Sequence, residues 1–221
     1  MPDAFAGFDE STRGFLQSVA QRLTDEFAGI YDAEAVLHVV DESAQQLGRA
    51  EATISFVPIL AERFARERLR AAAQASGALA KDVPEVVFVS LTGGGRAQIG
   101  AALLAKRAGA AVSVHSAGSD AVTQIDPHVQ AALLEVGVDL SQAFTKPLTP
   151  EVLAGADVVV TMGRSVGAVE IPDAVRHVDW RVGDPAGADL DEVRRVRDDI
   201  ERRIEVLAAE LVPAAAVGAA V

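Results

Sequence analysis

The spacing of apolar residues changes character once along the chain, near residue 84. Before that point Phe15, Val19, Leu23 and Phe27 recur every four residues, with Gln, Arg, Asp and Glu between them. This is the stripe of a one-faced amphipathic helix, and Gly29 ends it. Asp32 can cap a second helix that carries Val36, Val39, Val40 and Leu47 and stops at Gly48. A third opens near Pro58 and runs through Leu60, Phe64 and Leu69. Three short helices with tight connections predict a small antiparallel all-α bundle over residues 1–76. Stripes this short do not hold a helix alone, so the bundle is expected to dock on a neighbour, a second copy of itself included.

Beyond residue 84 short β-branched runs alternate with helical patterns. "EVVFVS", "AVSVHSAG" and "ADVVVTMG" read as buried strands, and the shorter "VRHVDW" as a fourth. Helical periodicity fills 96–108 and 127–136, and a final helix at 190–211 places Val193, Val196, Ile200, Ile204, Leu207 and Leu211 three or four apart. Apolar strands separated by helices imply an α/β unit over 84–212, with a parallel sheet covered on both faces. Residues 77–83 form the expected linker, and 213–221, "PAAAVGAAV", an expected disordered tail.

Composition narrows the chemistry by exclusion. Half of the 221 residues are hydrophobic and 24% are charged, the profile of a soluble globular protein. No uninterrupted apolar run approaches the ~18 residues of a membrane span, and the opening "MPDAFAGFDESTRG" lacks a basic segment followed by an apolar one. The expected location is the cytoplasm. A formal charge of −12 argues against nucleic acid as a partner, since phosphate backbones are bound by net positive surfaces. There is no cysteine, which removes disulfides, thiolate metal sites and every protein thiol nucleophile. His38, His115, His128 and His177 show no ligand spacing, so neither a metal nor a cofactor is expected.

The candidate site is the turn in "EVVFVSLTGGGRAQIGAALL". A strand runs into Ser90, three glycines follow, and a helix begins at Arg96. Backbone N–H groups at a helix start have no intrahelical partner, and a glycine-rich approach lets several converge on one anion. The guanidinium of Arg96 can fork onto two oxygens of a tetrahedral oxyanion. The turn matches neither the Walker A nor the dinucleotide pattern. Thr92, Gly93, Gly94, Gly95, Arg96 and Ala97 are therefore the candidate anion-binding residues.

That loop, followed in order by "VHSAGSDA", "IDPHVQAALLEVGVDLS", "KPLT", "ADVVVTMG" and "DPAG", resembles the low-molecular-weight protein tyrosine phosphatases and the arsenate reductases that share their fold. The preceding helices resemble the amino-terminal domain of some bacterial members. The resemblance implies a three-layer αβα sandwich of the phosphatase-I type on a four-stranded parallel sheet. It also implies a loop C-x-x-N-x-x-R-S, whose thiolate attacks phosphorus or arsenic while a later Asp-Pro pair supplies the general acid. Ser90 falls on the Cys, Gly93 on the Asn, Arg96 on the Arg, Ala97 on the Ser and Asp184 on the general acid. The two further cysteines of thioredoxin-linked reductases are absent from "VTMGRSVGAVEIP".

A field of N–H donors brings a thiol pKa into the ~3.5–7.5 range, but leaves a much less acidic hydroxyl protonated. Ser90 would need an adjacent base, and the implied geometry offers none. His115 and Ser116 are expected to support the loop, and Trp180 either to wall the pocket, as the resemblance implies, or to be a partly buried structural residue. The expectation is a pseudo-enzyme that binds phosphate, sulfate or arsenate, a phosphoprotein or another protein partner, and pairs as a homodimer through its helices. Two alternatives stand beside it. One is an active phosphatase or reductase, in which Ser90 is an unusual nucleophile or an engineered replacement for Cys. The other is a structural oligomerisation module with a vestigial cleft.

Overall fold

A computed structural model of the chain describes residues 4–48, 56–119, 124–163 and 169–212. The expected tail at 213–221 lies outside them. The chain divides into two compact units, Met1–Ala80 and Lys81–Val221.

The first unit contains α1 (Glu10–Glu26), α2 (Ala33–Gly48) and α3 (Val57–Ala75). Asp9 caps α1 by accepting from the Thr12 N–H, and Asp32 accepts from the Ala35 N–H at 2.8 Å ahead of α2. Leu16, Val19, Leu23, Val36, Val40, Ala61, Phe64 and Leu69 fill the centre of the bundle. The four-residue repeat misplaces one member of its stripe, because Phe15 is 63% exposed and Leu16 takes the buried position. A stripe at 3.6 residues per turn drifts away from a strict spacing of four, and the adjacent residue inherits the inner face.

The second unit is an α/β fold with four parallel strands in the order β2-β1-β3-β4. They are β1 (Glu85–Ser90), β2 (Ser113–Gly118), β3 (Val158–Met162) and β4 (Arg176–Trp180). Helices α4 (Arg96–Ala108), α5 (Pro127–Glu135) and α7 (Leu190–Leu211) share one core with Val86, Phe88, Val158, Val160, Met162 and Trp180. A short helix that the apolar spacing does not reveal, α6 (Pro150–Gly155), packs against β1. Its single turn carries too few apolar positions for a helical period to show. The central strands β1 and β3 are buried along their whole length, whereas the edge strand β4 is exposed at Arg176, His177 and Asp179. Full coverage of both faces therefore holds for the centre of the sheet and fails at this edge.

One close contact sets how α4 lies on the sheet. The Phe88 ring sits so near Gly100 that a Cβ there would fall 2.6 Å from it, and the ring is held from another side by Trp180, with centroids 5.9 Å apart. Because α4 starts at Arg96, this seat also fixes the direction in which its first turn points. Gly100→Val should overpack the contact and lower stability by about 2 kcal/mol. The shift is read as the urea midpoint of fluorescence from Trp180, the chain's one tryptophan.

Candidate active site

All four strands run in the same direction, so their carboxyl ends gather Ser90, Gly118, Gly163 and the segment after Trp180 along one edge of the sheet. In open α/β sheets that edge is where ligands bind. A cleft of ≈ 350 Å³ opens there. Ser90, Leu91, Thr92, Gly94, Gly95 and Arg96 form its floor, Gln124 to Pro127 one wall, and Asp184 with Ala186 the other.

The floor turns sharply because of one backbone position. Gly93 has φ +72°, and a Cβ on it would lie 2.8 Å from the Gly118 nitrogen. Glycine is thus required twice over, for the left-handed conformation and for the approach of a second chain segment. The turn aims the Gly93 N–H back at Ser90, whose buried Oγ accepts it at 3.2 Å. Ser90 is thereby placed as the acceptor of a backbone N–H. Helix α4 starts directly afterwards at the N-cap Gly95, with no side chain capping it, so its first N–H groups keep their hydrogen-bonding capacity for the cleft.

Arg96 is 8% exposed, and its guanidinium lies over Gly163, where a Cβ would come within 2.4 Å of Nη1. Its Nη2 is 3.2 Å from Oδ2 of Asp184, a side chain that is 60% exposed. The other oxygen of Asp184 accepts the Ala186 N–H at 3.2 Å, the bond of an Asp-Pro turn. Pro185 reaches to within 2.9 Å of where a Gly95 Cβ would stand, so the acid-bearing loop leans on the floor. Turn-former and cleft carboxylate are consequently the same residue.

The structure brings Ser90, Thr92, Gly94, Gly95, Arg96 and Asp184 together around the cleft. Gly93 shapes the turn, and Ala97 is fully buried in the core beneath it. One expected support is elsewhere. His115 pairs in register with Val87 and its Nε2 meets Oε2 of Glu85 at 2.9 Å, at the amino end of the sheet rather than beside the loop. The side chain of Glu85, buried at the start of β1, draws it there. Trp180 is 7% exposed and belongs to the core against Phe88, so it does not wall this cleft.

The wall from Gln124 to Pro127 was not foreseen. Asp126 caps α5 by accepting the His128 N–H at 2.8 Å, and its own N–H reaches the Gly94 carbonyl at 3.3 Å. The helix from Pro127 was visible in the sequence, but the closeness of Asp126 to Gly94 depends on the β2–α5 crossover. His128, isolated in sequence, has Nδ1 2.9 Å from the Ala188 carbonyl and so ties α5 to the acid-bearing loop. Among the described residues no group of three or more His, Asp or Glu side chains could hold a metal ion.

Residues 85–216 match the family described as low molecular weight phosphotyrosine protein phosphatase. The chain belongs to that family. Residues 16–73 match the protein-tyrosine-phosphatase-like amino-terminal domain. An arsenate reductase of Brevibacillus brevis is 36% identical over 115 residues, 51% of this chain and 85% of that protein. The structure of a thioredoxin-dependent arsenate reductase of Corynebacterium glutamicum is similar with TM-score 0.79 at 34% identity, covering 90% of this chain and 96% of that one. A mutant of the YwlE arginine phosphatase with serine in place of cysteine and a phosphorylated active site serine is similar over 57% of this chain and 95% of that one, with TM-score 0.50 and 29% identity. The family fold is thus shared, with the helical region ahead of it. No helix among the described residues is long and apolar enough to cross a membrane.

Gly93→Ala tests the turn. The positive φ alone costs about 1–2 kcal/mol for a residue with a Cβ, and the contact with Gly118 adds to it. The expected result is a lower urea midpoint than wild type, together with faster amide hydrogen exchange at residues 91–96. Unchanged exchange there would mean that the turn does not depend on Gly93.

Proposed function

We propose that the α/β unit binds phosphate-like oxyanions at the turn between β1 and α4, and that it has lost the thiol chemistry of its family. The observation that carries this reading is the state of Ser90. Its Oγ accepts a backbone N–H beside a buried arginine, in a chain with no cysteine anywhere. Ser90 occupies the nucleophile's place in the family loop, and what surrounds it stabilises negative charge without removing a proton. A hydroxyl needs a base at hydrogen-bond distance to attack phosphorus at neutral pH. His115 is engaged by Glu85, and His128 by the Ala188 carbonyl. The anion site is kept and the nucleophile is replaced, which is the constitution of an oxyanion sensor or a phosphoprotein-binding module.

The helical unit gives this reading a second surface. Phe15, Phe56 and Ile59 are each more than 60% exposed, at 63%, 61% and 62%. They are the residues through which a second copy or a protein partner would be engaged, Phe15 on α1 and Phe56 with Ile59 at the start of α3.

A competing reading has one specific observation in its favour. The serine-bearing mutant of an arginine phosphatase carries a phosphoryl group on its active site serine. By analogy Ser90 would accept a phosphoryl group and retain it, Asp184 protonating the leaving group.

Calorimetric titration with phosphate and arsenate, beside an aryl phosphate assay, separates the two. The expected outcome is binding that falls by about 100-fold or more in Arg96→Ala, in line with losing a charged, forked hydrogen bond, and no turnover by wild type. Intact mass after incubation with the aryl phosphate should show no added phosphoryl group. An adduct that disappears in Ser90→Ala would favour the acceptor reading, and catalytic turnover lost in the same variant would overturn the pseudo-enzyme.

A further inference from the structure

We infer that Asp184 makes the anion site selective for oxyanions that still carry a proton, phosphate and arsenate, over sulfate. This rests on the oxyanion-binding reading above and specifies the ligand that the site takes. Among the described residues that line the cleft, Arg96 is the one cation, and Asp126 and Asp184 are the carboxylates, with Asp184 paired to it. Arg96 is nearly buried and seated against Gly163, so its guanidinium has little freedom to turn away from the wall it faces.

Oδ2 of Asp184 stands 3.2 Å from Nη2 of Arg96. An oxyanion held by the first N–H groups of α4 must share that guanidinium with Asp184, so an oxygen of the ligand and an oxygen of the carboxylate become neighbours. Two outcomes follow from the ligand's protonation. A hydrogen phosphate or hydrogen arsenate turns its O–H toward Asp184 and makes a short, charge-assisted bond to the carboxylate. Sulfate near neutral pH has no proton to offer, and its oxygen meets Asp184 lone pair to lone pair. Like charges set side by side repel, and a site built to accept a ligand's O–H rejects the analogue that lacks it. Asp126 on the opposite wall adds charge of the same sign.

The loop geometry keeps this carboxylate in place. One oxygen of Asp184 is engaged by the Ala186 N–H, Pro185 leans on Gly95, and the Ala188 carbonyl is tied to His128. Asp184 is therefore a specificity-determining residue as the protein stands, whether or not it ever transfers a proton to a leaving group.

The test is calorimetry of phosphate, arsenate and sulfate at pH 7 on the full chain, on Asp184→Asn and on Asp184→Ala. Wild type should bind phosphate and arsenate about 10- to 100-fold more tightly than sulfate, the range for one hydrogen bond to a charged group. Asp184→Asn, whose amide can donate to an unprotonated oxygen, should bring sulfate to within about threefold of phosphate. Asp184→Ala removes the repulsion without adding a donor, and sulfate should bind it more tightly than wild type. Because Asp184 is exposed, neither exchange disturbs the core. Equal affinities in wild type, or a preference unchanged in both variants, would overturn the selectivity while leaving oxyanion binding intact. Failure of all three anions to bind wild type would overturn the binding reading, and this inference with it.

Discussion

The cleft depends on two backbones that nearly touch. A Cβ on Gly93 would lie 2.8 Å from the Gly118 nitrogen, and one on Gly118 would lie 2.9 Å from the Thr92 carbonyl. This approach closes the turn after β1 against the end of β2, in a sheet where Ser90 and Gly118 are partners in register. With the turn closed, the Gly93 N–H faces Ser90 Oγ and α4 begins without a capping side chain. The seat of Phe88 on Gly100 then aims that helix start at the cleft, and Gly163 leaves room for the guanidinium of Arg96. Each step places positive potential at one point on a chain whose formal charge is −12.

A thiol and a hydroxyl respond differently to that potential. The donors that would hold a thiolate ready leave a serine protonated, because its proton is bound far more tightly to begin with. The same donors still attract an anion that arrives already charged. Binding and catalysis, joined in a loop with cysteine, are therefore separable in a loop with serine. In the proposed reading the residues that remain, Arg96 and the first N–H groups of α4, serve the first of these. Asp184 stands between the two roles. In a catalytic member it would give up a proton, and in the role proposed here it accepts a hydrogen bond from the ligand's O–H.

Much of this was legible in the amino-acid sequence, for identifiable reasons. Strands such as Val158–Met162 are continuous β-branched runs, and helix ends are marked by Asp126-Pro127 and Gly109, so the elements after residue 84 are placed close to where they occur. The Gly-Gly-Gly-Arg turn marks, through local chemistry alone, the loop that forms the floor of the cleft. What the sequence did not disclose depends on contacts between distant residues. His115 belongs to Glu85, 30 positions away, and His128 to Ala188, 60 positions away. Trp180 is drawn into the core by Phe88, although its neighbours in sequence lead into the cleft. The exposed face of β4 reflects its place at the edge of the sheet, which follows from strand order and not from the strand itself.

The central claim is that a missing thiol, and nothing else in the cleft, separates this protein from turnover. Ser90→Cys tests it directly, with initial rates of aryl phosphate hydrolysis measured beside wild type under reducing conditions. The account predicts no measurable hydrolysis by wild type, and hydrolysis by Ser90→Cys that is abolished again by Arg96→Ala. A Ser90→Cys protein that binds phosphate and remains inert would contradict it, and would move the cause of inactivity to the other departures in the loop, Gly93 and Ala97.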